Sequence, residues 1–127
     1  MSHTASASVR YIVDDVAKAM AFYTGQLGFA VETDAKPAFA SVTRGALRLL
    51  LSGPLSSAGK PMPDGRRPAA GGWNRILIVV DDIATEAARL KAAGVTFRND
   101  ILAGVGGSQV VIEDPAGNPI ELFQRKG

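Results

Sequence analysis

Glu121 is the side chain best placed for chemistry in this sequence. It follows the turn Asp114-Pro115-Ala116-Gly117-Asn118 and sits in the run Ile120-Glu121-Leu122-Phe123. Asp-Pro and Gly-Asn are strong turn signals, because Pro presets φ and Gly tolerates positive φ. Gln109-Val110-Val111-Ile112 precedes the turn and is rich in β-branched residues, which suit a pleated, half-buried surface. The stretch predicts a hairpin. Side chains alternate along a strand, so Glu121 faces away from its neighbours Ile120 and Leu122. A charge in that position commonly just meets water. A role in a site needs other residues to converge on it.

The rest of the inventory excludes several chemistries. The chain has no cysteine, so disulfides, thiolate metal sites and cysteine nucleophiles are out. Its one histidine is His3, in a small, polar N-terminal stretch. A Ser-His-Asp arrangement is therefore not expected. Gly104-Val105-Gly106-Gly107 is glycine-rich but does not open a helix after a strand. It reads as a bend leading into a strand, not a phosphate cradle.

The elements that must position Glu121 repeat. Residues 1–7 read as a loose arm. Val9 to Val13 is a strand by composition, and Asp14-Asp15 can cap the helix that follows. Val16, Met20, Tyr23 and Leu27 form its apolar stripe, and Gly28 ends it as a left-handed cap. Strands are expected at 29–33, 39–43 and 47–52. A Pro- and Gly-rich linker covers 53–72, long enough to suggest a mobile or functional segment. Ile76 to Val80 then starts the pattern again. Asp81-Asp82 caps a helix with Ile83, Ala87 and Leu90 on its apolar side, and Gly94 closes it. A short strand at 95–98 and the hairpin complete the second half. The prediction is an α+β fold of two βαβββ modules, 8–52 and 73–124, an internal duplication with a cleft between curved mixed sheets.

The 127 residues carry a net charge of only +2, with Arg66-Arg67 and Arg125-Lys126 as isolated basic pairs. A nucleic-acid partner is not expected. No signal peptide and no run of membrane-spanning length is present, so a cytoplasmic protein is the expectation.

Three motifs stand in order: V-D-D-V-A-K-A-M-A-F-Y-T-G-Q-L-G-F, V-D-D-I-A-T-E-A-A-R-L-K-A-A-G-V and D-P-A-G-N-P-I-E-L. Together they make residues 8–124 resemble the vicinal oxygen chelate superfamily. That family includes glyoxalase I, extradiol dioxygenases, fosfomycin-resistance enzymes and bleomycin-resistance proteins. The resemblance implies metal ligands on four strands: a His, a Glu, a second His and a second Glu. Placed by its distance from the capping aspartates, the first His position falls on Ser8 and the second on Arg75. The first Glu falls near Leu50. The last falls on Glu121, which alone keeps a ligand. Neither a metal nor another cofactor is therefore expected.

The resemblance also brings Arg75 and Glu121 to the cleft, where they would pair. The plainer expectation is a structural pair with Arg75 in the cation's place. The functional one has Arg75 anchoring a carboxylate, phosphate or enolate oxygen and Glu121 accepting a hydrogen bond or acting as general base. Strand parity adds Arg10 beside Ser8, Trp73 beside Arg75, and Phe123 beside Glu121. Phe39 is a candidate from the third strand. Trp73 could stack a planar ligand or pack the linker against the sheet; Phe39 could line the cleft or the core.

The function implied is metal-independent binding of a small organic molecule in the cleft of a homodimer, in the manner of bleomycin-resistance proteins. The alternative is a metal-independent isomerase, epimerase or cyclase using Glu121 as acid/base. A metal-dependent lyase or dioxygenase is the least favoured.

Overall fold

A computed structural model describes residues 7–127. His3 and all but the last residue of the expected arm lie outside the described residues. The chain divides into two compact units, met at Ala70–Gly71.

The first unit holds β1 (Ala7–Ile12), α1 (Val16–Leu27), β2 (Ala30–Ala35), β3 (Phe39–Arg44) and β4 (Leu47–Ser52). Asp15 caps α1 by accepting from the Lys18 backbone N–H, and Gly28 closes it with φ 71°. All four residues of the predicted apolar stripe are buried. The strands form one mixed sheet in the order β1-β4-β3-β2, with β1 parallel to β4 and the other pairs antiparallel. α1 packs on this sheet. Tyr11, Leu49, Leu51, Ala40 and Val42 form the buried side against it. Tyr23 is fully buried and meets Phe22 and Phe29 edge-on, with ring centroids 5.1 and 5.4 Å away. Each such large apolar side chain stabilises the fold by roughly 1.5–3 kcal/mol.

The expected linker is not structureless. Ser57–Gly59 forms a 3-10 turn capped by Ser56, whose hydroxyl also donates to the Gly53 carbonyl. Met62 to Arg66 closes a second turn, with the Met62 N–H donating to the Arg66 carbonyl.

The second unit holds β5 (Ile76–Val79), α2 (Ile83–Ala92), β6 (Leu102–Ala103), β7 (Gly107–Glu113) and β8 (Pro119–Arg125). Asp82 caps α2 through Thr85. The helix ends at Ala92, and Gly94 turns left-handed shortly beyond, with φ 83°. The sheet order is β5-β8-β7-β6, again with one parallel pair, β5 with β8. The duplication expected from the repeated motifs is thus present as two four-stranded mixed sheets, each with one helix.

One predicted strand did not form. Residues 95–98 contribute only an isolated bridge between Phe97 and Ile112, and the short strand of this half is Leu102–Ala103 instead. Regular pairing stops because a side chain takes the place of a backbone acceptor: the Val111 N–H donates to Asn99 Oδ1. The Arg98 N–H still reaches the Val111 carbonyl, so the segment lies along β7 without becoming a strand.

Candidate functional site

In the second unit the helix side of the sheet carries Ile76, Ile78, Val110, Ile112, Ile120 and Leu122, all buried. The alternate residues make the open side. On this side Glu121 stands between Leu77 of β5 and Val111 of β7, and Phe123 between Val79 and Gln109. Glu121 is centred on this side as its parity predicts, yet it is only 8% exposed. Its turn is tightly built. Asp114 accepts from the backbone N–H groups of Ala116 and Asn118 and from the Asn118 amide.

Arg75 stands just before β5 and reaches across to Glu121. Its Nε donates to Glu121 Oε1 at 3.0 Å, and its Nη2 lies 2.9 Å from the same oxygen. The Arg75 Nη1 donates to the Trp73 carbonyl. Both contacts thus fall on one carboxylate oxygen. Among the described residues no hydrogen bond falls on Glu121 Oε2.

Trp73 is 69% exposed, and Arg98, a residue sequence reasoning missed, ties the end of the linker to the sheet. Its guanidinium lies 4.5 Å from the Trp73 ring centroid, a cation–π contact. It also donates to Glu113 and to the carbonyls of Gly72 and Gly117. Gly71 is tied to the hairpin turn through Asn118. These partners are far apart in sequence, and no local pattern signals them. Trp73, Arg75, Glu121 and Phe123 belong together on the second unit.

Ser8, Arg10, Phe39 and Leu50 belong to the first. They share the side of its sheet turned from α1. Arg10 pairs with Leu50, Ser8 with Arg48, and Phe39 with Ser52. Ser8 and Arg10 are exposed, while Phe39 and Leu50 are half-buried, so Phe39 is not a core residue. Arg10 Nη1 donates to Ser52 Oγ at 2.8 Å. Glu32 enters the same side at a bulge in β2. It holds Arg48 bidentately, at 2.8 and 2.9 Å, and accepts from Ser41 Oγ. Arg48 first and Ser41 second hold its carboxyl below the usual range. Sequence reasoning missed this trio, although parity on β3 and β4 puts Ser41 and Arg48 on the open side.

The positions implied for a metal carry a hydroxyl, a hydrocarbon chain, a guanidinium and one carboxylate. That donor set does not fit a divalent cation, because Arg75 offers only hydrogen-bond donors and already lies on Glu121. Among the described residues no three His, Cys, Asp or Glu side chains stand together to hold one.

The family model of the Glyoxalase/Bleomycin resistance protein/Dioxygenase superfamily matches residues 2–122. The chain belongs to this superfamily, as its motifs led us to expect. A member of the same superfamily from Sphaerobacter thermophilus is 28% identical, with a TM-score of 0.77, covering 97% of this chain and 98% of that one. Lactoylglutathione lyase from Agrobacterium tumefaciens is 24% identical with a TM-score of 0.74, covering 96% of this chain and 94% of its own. TnmS3, an antibiotic-binding protein from a Streptomyces species, is also 24% identical with a TM-score of 0.74, covering 99% of both chains. The last two likenesses speak for the fold alone. A search of curated proteins returned no significant match. Among the described residues, no helix is long and apolar enough to cross a membrane.

Proposed function

We propose that this chain is a metal-independent member of its superfamily that binds a small organic molecule, with Glu121 and Arg75 at the heart of the site. One observation carries the reading. A guanidinium lies on the only carboxylate left among the positions implied for metal ligands. A cation built into the chain replaces one taken from solution. Around that pair the sheet offers exposed Leu77 and Val79, half-buried Phe123 and the exposed Trp73 ring. Small-molecule sites are mostly apolar with few polar groups, and this surface has that character. Ser8, Arg10, Phe39 and Leu50 stay candidate ligand-binding residues on the open sheet side of the first unit, and a homodimer would be the working form. Isothermal titration with Zn²⁺, Ni²⁺ and Mn²⁺ tests the metal claim. Negligible heat for all three is expected; stoichiometric binding of any of them that is lost in Glu121→Ala would sink it.

The free Oε2 of Glu121 favours a second reading. An open carboxylate oxygen beside a guanidinium can take a proton from a bound molecule while the guanidinium steadies the developing oxyanion. That describes an isomerase, epimerase or cyclase. Glu121→Gln separates the two. A binder keeps most of its affinity for a neutral ligand, whereas an acid–base enzyme loses rate by roughly 10²-fold or more.

A further inference from the structure

β1 is an edge strand, where charged side chains, inward-pointing ones included, commonly block pairing with other chains. Arg10 does more than add a charge there, because it reaches across its sheet to the neighbouring strand. Its Nη1 is anchored by Ser52 Oγ at 2.8 Å, and Ser52 is fully buried. The other large cation on the same side, Arg48, is neutralised bidentately by Glu32. Arg10 makes no ion pair among the described residues, and its Nε and Nη2 stay unused. A guanidinium held at one corner, with its remaining donors free, is a preorganised receptor for a planar oxyanion. Holding it beforehand lowers the entropic cost of binding.

The surroundings define the rest of the ligand. Leu50 lies directly across from Arg10 on β4, and Phe39 lies across from Ser52 on β3. Both are half-buried. An apolar body would rest on them while its charged end meets Arg10. We infer that Arg10 and Ser52 form an oxyanion subsite, and that the ligand is an organic acid, a carboxylate or phosphate carried on an apolar group. This rests on the small-molecule reading above and narrows it to a ligand class.

Three probes test it: benzoate, phenyl phosphate and the uncharged benzyl alcohol, each titrated into the whole protein and followed by amide and arginine side-chain NMR shifts. The wild type is expected to prefer at least one of the anions over benzyl alcohol by about tenfold or more, since a charge-assisted hydrogen bond exceeds the energy of a tenfold step. Which anion wins identifies carboxylate or phosphate. In Arg10→Met that preference should fall to about one. Ser52→Ala keeps the charge but frees the guanidinium, and should lose part of the preference; it serves if the first variant fails to fold. Equal binding of the anions and benzyl alcohol overturns the inference, as does an anion preference that survives unchanged in Arg10→Met or, where that variant does not fold, in Ser52→Ala. Binding of benzyl alcohol alone also overturns it, yet leaves the small-molecule reading standing. Binding of none of the three overturns it too. A failure of the small-molecule reading would show separately, as no retained or added organic molecule of any charge.

Discussion

Arg75 and Glu121 depend on one another more than on the rest of the molecule. Their side chains are only 27% and 10% exposed, so either would pay for desolvation if left alone. Glu121→Ala should destabilise the protein by about 2 kcal/mol, and the double change to Met at both positions should cost less than that single change. Urea denaturation checks both, and a single variant as stable as wild type would show the pair to be idle. Glu32 carries a pH dependence. Its carboxyl is held below the usual range by Arg48 and Ser41, so it releases its proton more readily folded than unfolded. Its contribution is present above the unfolded value, about 4.3, and is lost as pH falls through the lower folded value. Glu32→Gln should therefore flatten the acid side of a melting-temperature profile and leave neutral pH little changed in slope. An unaltered acid limb would contradict the assignment. At this scale the sequence was half legible. Alternation placed Glu121 and Arg10 on open sheet sides, and family motifs singled out Arg75. Ser52, Glu32 and Arg98 act through partners distant in sequence, which periodicity cannot supply.

The helices and the last hairpin announce themselves through local chemistry. Asp15 and Asp82 cap as their spacing demands, because a short carboxylate accepts from an N–H three residues on. The segment after α2 does not, because Asn99 replaces a backbone acceptor with its side chain. Composition cannot distinguish that from a strand. The bend between β6 and β7 offers a sharp test. A Cβ on Gly107 would overlap the Gln124 carbonyl oxygen, and its φ of 154° disfavours other residues. One on Gly106 would meet nothing nearer than Phe123 Cζ at 3.9 Å. Gly107→Ala should cost about 3 kcal/mol, with Gly106→Ala within about 0.5 kcal/mol of wild type. Equal melting temperatures for the two would contradict this account of the bend.

The whole molecule follows from repetition. Each half writes the same order of strand, helix and three further strands, and each sheet buries its apolar residues on the helix side while its polar candidates stand on the other. That was legible because both halves carry the Asp-Asp cap and an apolar stripe. The division at Ala70–Gly71 was less so, since the linker adds turns of its own to the first unit. Native mass spectrometry of untagged protein from its native host reads subunit number, metal and retained small molecules in one spectrum. Metal-independent binding of a small molecule predicts a dimer without metal, carrying an organic adduct. A stoichiometric divalent metal on each subunit would contradict it, and would return Glu121 to the role of metal ligand.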